Sequence, residues 1–508
     1  MKVAFRVDAS TVIGTGHVMR CLTLANQLKQ TGTSTLFICR QLPDHVGEHI
    51  RRSGHRVAQL PASADPGFTP AAASSAHAAW LGVPDAFDAE QTIDAMRSQA
   101  PWDWIVVDHY AIAAGWERSL REAADRVLVI DDLADREHDC DLLLDQNFYL
   151  DGDRRYDNFV PPACVRLLGP RYALLGPEFR ELRRNLKDKG DAVRRLLVFF
   201  GGSDAGNVTS LALDALDLVG NPKLAVDVVV GAAHPALLSI QERCRSRGFA
   251  CHVQISNLAS LMAAADLALG AGGTATWERC SVGLPTLAYC LAENQERLIH
   301  DGSHAGLFHA PDIALNDAPA LARHVAALIE APALRGLLSR TSAAMVDAIG
   351  TTRVAARMQS APIRMREATT ADSDQLFAWR NDPIVRLASR SADAIERQAH
   401  DAWLAKVLAD PGRRLLIGVR DGTTLGVVRF DLDGCAAAEV SIYLIPGLEG
   451  NGSGTPLLLA AEAWLLAHTG EVERIDAEVL ENNEASRRLF VRCGYEPVAS
   501  RFQKRIRP

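Results

Sequence analysis

Several features are missing from this 508-residue sequence, and each absence excludes a class of function. There is no excess of positive charge. Fifty-four Lys and Arg face 62 Asp and Glu, for a net charge of −8, which argues against wholesale nucleic-acid binding. No Cys-x-x-Cys pair occurs among the 10 cysteines, and neither they nor the 15 histidines cluster at ligand spacing. A zinc site is therefore not expected, and the thiols read as reduced and mostly buried. No apolar run is long enough to span a bilayer, and the opening MKVAFRVDAS has no apolar signal core. The expectation is a cytoplasmic protein with no membrane partner. What is present is an ordinary soluble composition, 48% hydrophobic and 23% charged, with length for about two to four domains.

Three blocks follow one another. From residue 1 to about 165, short apolar strands (TSTLFICR, WDWIVVDHY, ADRVLVIDDLAD) alternate with helical patterns, which predicts a parallel sheet with crossover helices. The Ala/Ser/Pro-rich stretch 60–78 reads as a surface loop, a candidate lid or insert. A second alternating block, 166–355, carries the strands RRLLVFF, AVDVVVGAA, ACHVQIS, ADLALGAGG and PTLAYCL; the Gly- and Pro-containing LGPRYALLGPEFREL connects it to the first. Near residue 361 the pattern changes to a strand, a helix capped near Thr370 or Asp372, a hairpin turning at RDGTT, a Gly-rich loop and a long helix. The fold class expected is α/β, two Rossmann-like domains (1–165 and 166–355) followed by an α+β domain (361–508).

Candidate site residues sit where strands end. In VIGTGHVMRC, residues 12–21, Thr15, Gly16 and His17 occupy a turn between a first strand and a helix. In an open α/β sheet that turn lies at the ligand-binding edge, where glycine lets the backbone approach and a helix start favours anions. The alternative is a tight turn with a surface histidine. Gly202 and Ser203 in VFFGGSDAGN suit a phosphate in the same way, or form a plain turn. LGAGGTATWERCSVGLPTLAYCLAENQ places Gly273 and Thr274 after a strand, Glu278 one helical turn on, and Asn294 and Gln295 after the next strand. A carboxylate so placed can accept both hydroxyls of a ribose. Asp8, Asp108 and His109 also end strands near this cleft. The default for Asp8 and Asp108 is a supporting or structural role, with Asp108 a candidate to orient His17.

Two such blocks with this second-block signature resemble the GT-B glycosyltransferase architecture, including the UDP-GlcNAc-using transferase of peptidoglycan synthesis. Over residues 1 to about 350, GTGHVMR, VVDHY, VIDDLADR, DLLLDQN, GPRYALL, FGGSDAGN and NQE more closely resemble the UDP-2,4-diacetamido-2,4,6-trideoxy-β-L-altropyranose hydrolases of pseudaminic acid synthesis. That resemblance implies His17 as general base for water and Glu278, Asn294 and Gln295 as UDP-binding. It also implies that the Thr15–Gly16 turn meets pyrophosphate or sugar. An imidazole titrates near neutrality and suits the task; no metal is expected.

GLEGNGSGTPLLLAAEAWLLAH and NNEASRRLFVRCGYEPV resemble the acetyl-CoA motifs of GNAT acetyltransferases. The resemblance implies acetyl-CoA as co-substrate, with Gly452 and Gly454 at its pyrophosphate and Asn483 in contact. Glu449 stands where that family has Gln or Arg, and Phe490 where many members have a tyrosine acid. REATTADSDQLFAWRNDPIVRLASR with HDAWL resembles acetyltransferases acting on the 4-amino group of a UDP-linked amino 6-deoxy sugar, and also those acting on protein N-termini. The combined expectation is a bifunctional enzyme that removes UDP from the diacetamido sugar and N-acetylates its amino precursor. The rivals are a GT-B glycosyltransferase with a regulatory GNAT module and a non-catalytic binding protein.

Overall fold

The first strand, β1 (Lys2–Val7), is buried on both faces from Val3 onward, as a central strand of a parallel sheet must be. In the computed structural model it lies in a seven-stranded sheet with β2 (Ser34–Cys39), β3 (Arg56–Gln59), β4 (Trp102–Asp108), β5 (Ala124–Ile130), β6 (Leu142–Asp145) and β7 (Val165–Leu168). The order is β3-β2-β1-β4-β5-β6-β7, and every neighbouring pair is parallel. The direction of winding reverses between β1 and β4, so the crevice beyond their carboxyl ends is the ligand position of such a sheet. The structure describes all residues except 11, 63–76, 185–191, 203, 256, 315, 361–362, 390–392, 435, 451, 470–471, 481–482, 494, 499–500 and 506–508, and leaves aside the side chains of 153, 492 and 501–505. Most of the loop expected at 60–78, and Ser203, fall outside the described residues.

The second sheet repeats the logic with five parallel strands. They are β8 (Arg195–Phe199), β9 (Ala225–Val230), β10 (Ala250–Val253), β11 (Leu267–Ala271) and β12 (Thr286–Tyr289), in the order β10-β9-β8-β11-β12. Its winding reverses between β8 and β11, which puts the two glycine turns, 201–202 and 272–273, at one crevice. Both sheets belong to one compact unit, Met1–Arg357. The connection at 169–184 becomes a 3₁₀ turn (Pro170–Tyr172) and a helix (Pro177–Arg184). The helix Gly350–Gln359 returns to it: Thr351 Oγ1 donates to Leu175 O at 2.8 Å. The loop after β6 ties the halves together. Trp277 Nε1 donates to Asn147 Oδ1 at 3.0 Å, and Leu150 N donates to Asp301 Oδ2 at 3.1 Å.

The second unit, Met358–Pro508, has one mixed sheet. Its strands are β13 (Arg364–Glu367), β14 (Arg413–Arg420), β15 (Thr423–Leu432), β16 (Ala437–Leu444), β17 (Arg474–Glu478), β18 (Glu496–Val498) and β19 (Arg501–Arg505), in the order β13-β14-β15-β16-β17-β19-β18. The β14–β15 hairpin turns at Asp421 (φ 50°) and Gly422 (φ 75°). Both are left-handed, as a two-residue hairpin turn requires. The helix start expected near 370 is a capping box between Thr369 and Asp372. The parallel β16–β17 pairing covers only Ala437–Val440 against Arg474–Ala477. Ser441–Leu444 pair with β15 alone on that stretch, and the two strands leave an opening there. Among the described residues no helix is long and apolar enough to cross a membrane.

Candidate functional site

Gly14 (φ 78°) turns the chain out of β1 into the helix Gly16–Lys29. Thr15 occupies the N-cap without a side-chain cap hydrogen bond, and the first turn holds no acid. Its leading amides are thus open to an anion. His17, one residue in, is nearly buried, and its Nδ1 lies 2.6 Å from Asp108 Oδ1 at the end of β4. A carboxylate cannot donate, so Nδ1 carries the proton and Nε2 is left with a lone pair. Burial opposes the charge on Asp108, but Arg20 and then His17 more than restore it, and its carboxyl is held below the usual range. A histidine so held can act as an oriented general base.

Asp8, at the end of β1, is fully buried in an ion cluster. Arg6 holds it at 2.7 Å and Asp88 at 2.8 Å, while Asp8 also accepts the amide of Arg40 at 2.7 Å. Arg40 closes the cluster on Asp88 at 2.8 Å. Removing one member would strand a buried charge at a cost of about 3–5 kcal/mol. The role of Asp8 in this geometry is architectural.

The second half brings its own turn to His17's neighbourhood. A Cβ added at Gly16 would sit 3.6 Å from Thr274 Oγ1, so the 14–17 turn and the 273–274 turn face each other. Glu278, one helical turn beyond Thr274, is half-buried, and its carboxyl has no protein partner among the described residues. Burial pushes it up to about 7, with Arg279 pulling it down and Glu178 pushing it up. Gly272 is packed against the next helix: a Cβ there would lie 2.7 Å from Ile299 Cδ1 and 3.4 Å from Gln295 Cβ. That contact seats Gln295 beside the turn, where its Oε1 accepts Leu291 N at 3.1 Å. Asn294 is exposed on the same first turn.

The glycine turn after β8 corrects one expectation. Gly202 is there, with its carbonyl against Gly231, where an added Cβ would come within 1.9 Å. The start of the helix Val208–Val219 is not open to phosphate, however. Asp204, buried, accepts the amides of Val208 and Thr209 at 2.9 and 2.8 Å, and His234 Nε2 lies 3.1 Å away. A helix start filled by its own carboxylate repels a second anion. Four further residues were not singled out from the sequence: Arg20, Tyr110, Asp132 and Trp80. They form the wall around His17. Tyr110 meets the imidazole edge-on at 4.8 Å and stacks on Trp80 at 5.6 Å. Their only sequence signals are the i, i+3 spacing of His17 and Arg20 and the strand-end position of VVDHY.

In the second unit, a cleft of about 830 Å³ lies along the free half of β16 and the start of the helix Gly454–His468, with Glu439, Tyr443, Glu449, Gly452 and Asn483 among its lining. Gly452 is left-handed (φ 81°). Gly454 opens a 15-residue helix with no side-chain cap and no acid in its first turn. Glu449 folds back, its Oε2 accepting Gly447 N at 2.9 Å. Asn483 is the N-cap of the helix Glu484–Arg492, its Oδ1 accepting Ser486 N at 3.0 Å. Phe490 is buried edge-on to Tyr495. Tyr443 is the phenol in this cleft, kept protonated by burial.

Residues 363–496 match the family model for the acetyltransferase (GNAT) domain, and the C-terminal unit is a GNAT domain. An uncharacterized protein of Methanocaldococcus jannaschii is 21% identical over 98% of this chain and 97% of its own length. The UDP-2,4-diacetamido-2,4,6-trideoxy-β-L-altropyranose hydrolase of Campylobacter jejuni is 25% identical over 58% of this chain and 94% of its own length. The spore coat polysaccharide biosynthesis protein SpsG of Bacillus subtilis is 29% identical over 41% of this chain and 62% of its own length. The resemblance to these last two lies in the N-terminal region.

Proposed function

We propose that the chain is a bifunctional sugar-nucleotide enzyme. Its first unit hydrolyses UDP-2,4-diacetamido-2,4,6-trideoxy-β-L-altropyranose, the reaction named for the Campylobacter relative. Its second acetylates the 4-amino group of the UDP-sugar precursor with acetyl-CoA, within pseudaminic acid synthesis. The observation that carries the first activity is the 2.6 Å His17–Asp108 contact at the crevice, facing the 273–274 turn. Nε2 of His17 takes a proton from water as its oxygen bonds to the anomeric carbon. The bond from that carbon to the phosphate oxygen breaks, and UDP leaves with the electron pair. The open amides at Gly16 and His17 and the Gly273–Thr274 turn hold the departing charge. Glu278 accepts the ribose hydroxyls, Asn294 and Gln295 flank the nucleotide, and Gly202 lines the second glycine turn.

In the second unit the amides at Gly452 and Gly454 receive the pyrophosphate of acetyl-CoA, and Asn483 offers its amide hydrogens, its Oδ1 being used on Ser486 N. The amine nitrogen bonds to the thioester carbon and gives up one proton to solvent, the carbon–sulfur bond breaks, and the CoA thiolate leaves with the electron pair. Phe490 has no proton to give, and Tyr443, the phenol among the cleft lining, is our candidate to protonate the thiolate. The product of this step is the substrate of the first unit, which gives one chain two consecutive reactions. The test is incubation of the full chain with the UDP-diacetamido sugar, following UDP without any acceptor. His17→Ala should lower release about 100-fold or more with UDP affinity kept. Release only when a hydroxyl acceptor is supplied would make the enzyme a glycosyltransferase, and no release would end the hydrolase reading.

A further inference from the structure

Arg20 is nearly buried and reaches back one turn to the base. Its Nε donates to Asp108 Oδ2 at 2.7 Å and its Nη2 to Asp108 Oδ1 at 2.7 Å, a two-pronged grip. Nη2 also lies 3.2 Å from His17 Nδ1. The remaining nitrogen, Nη1, donates to Asp132 Oδ2 at 3.2 Å. The other oxygen of Asp132 accepts the Tyr110 hydroxyl at 2.5 Å, and the Tyr110 ring closes the far side of the imidazole. One guanidinium therefore joins both supports of His17: the carboxylate that orients it and the phenol that walls it.

We infer that Arg20 is a positioning residue that keeps His17 both aimed and basic. The inference rests on the reading of His17 as the base. Two effects combine. The fork fixes the plane of Asp108, so the Nδ1–H bond leaves Nε2 in one direction. Its charge also balances Asp108. An unbalanced buried carboxylate against the ring would favour imidazolium, and the base form would be lost at higher pH. The other groups that face the imidazole leave this balance to Arg20. Tyr110 is held protonated by burial and by Asp132. Cys21, 3.5 Å from Asp108 Oδ2, is also kept a neutral thiol, by burial and by Asp108. Asp132 is shared between Arg20 and Tyr110, and His77 lies beyond the Tyr110 ring at 5.2 Å.

The experiment compares wild type, Arg20→Gln and Arg20→Lys as full-length chains. Arg20→Gln should lower kcat about 10- to 100-fold, leave KM within about twofold, and move the acid limb of the pH–rate profile up by about one unit or more. Arg20→Lys restores the charge without the fork. Its acid limb should return toward wild type while kcat stays about tenfold low. A role confined to packing would lower the melting temperature and leave the acid limb unmoved in both variants, and that result overturns the inference. Histidine-labelled protein, with the His17 signal identified by His17→Asn, gives a second readout that needs no substrate: the NMR titration midpoint of His17 should rise in Arg20→Gln and recover in Arg20→Lys. A wild-type chain that releases no UDP defeats the hydrolase reading alone, since this midpoint still decides the role of Arg20. If Arg20→Gln does not fold, Arg20→Lys decides: wild-type kcat in that variant overturns the inference.

Discussion

Glu278→Gln should improve the unliganded protein and damage its binding of UDP. The carboxyl is half-buried, lacks a protein partner among the described residues, and is raised from 4.5 to about 7. A carboxyl whose folded pKa lies above its unfolded value costs nothing below the unfolded value. It costs progressively more as pH rises through the folded one. That rise corresponds to at most about 3 kcal/mol at pH 8, and solvent at a half-buried carboxyl reduces it to about 1–2 kcal/mol. Glu278→Gln should therefore raise the unfolding free energy by about 1–2 kcal/mol at pH 8, with the gap closing as pH falls to 5. When ribose hydroxyls donate to Glu278, the ionised form is favoured, so UDP binding near pH 6.5 should release a proton. Calorimetry in two buffers of different ionisation enthalpy reads that proton. The titration of UDP itself is common to wild type and variant and cancels in the comparison. The variant should lose this proton and about 1.5–3 kcal/mol of affinity, roughly 10- to 150-fold. A Glu278→Gln protein that binds UDP as tightly as wild type, with the same proton count, would remove Glu278 from the site.

Asp108→Asn should cut UDP release about 100- to 10,000-fold and, by stranding Arg20, lower the unfolding free energy by about 3 kcal/mol. Because the Asp108 carboxyl is held below the usual range, that stability gap should persist from pH 5 to 8 and close only on acidification below about pH 4; denaturant melts across pH check it. Gly231→Ala must displace the Gly202 carbonyl, since its Cβ would come within 1.9 Å. A loss of about 1–3 kcal/mol with UDP affinity kept is expected, because Asp204 already fills that helix start; weaker UDP binding would place the 201–202 turn at the ligand. Glu449→Gln keeps an acceptor for Gly447 N and drops an exposed charge beside the CoA loop. CoA titrations should show about 2- to 5-fold tighter binding at low salt, with the gain lost at high salt; no change at either ionic strength would show that the charge is indifferent.

Much of the fold can be read from the sequence because parallel strands buried on both faces leave plain apolar runs, as in Leu36–Cys39 and Leu196–Phe199. The short strands at Arg56–Gln59, Leu142–Asp145 and Val165–Leu168 are not legible. Four residues are too few to show a period, and LLL followed by an acid fits strand or helix start equally. The candidate site divides in the same way. His17, Thr274 and Glu278 announce themselves by following strands on glycine turns. The partners of His17 do not: Arg20 meets Asp108 across 88 residues and Asp132 across 112. Only the β1–β4–β5 adjacency brings them together.

The two glycine turns that look alike in sequence show where such reading fails. Both GTGH and GGSDAGN put glycines between a strand and a helix, and both suggest a phosphate. Glycine reports only that the backbone turns sharply or approaches something closely. Whether an anion is welcome depends on what already fills the helix start. At the helix Val208–Val219 the filler is Asp204, four and five residues before the amides it accepts. The His234 imidazole lies against the same carboxylate at 3.1 Å, so that helix start is filled without a ligand. At the helix Gly16–Lys29 no acid lies in the first turn, and Arg20, one turn in, is spent on Asp108 and Asp132. Among the described residues no carboxylate fills these amides as Asp204 fills those of the other helix. In the hydrolysis proposed for this unit, such amides would suit a group whose charge grows as its bond to the sugar breaks, since they would stabilise it most as it departs.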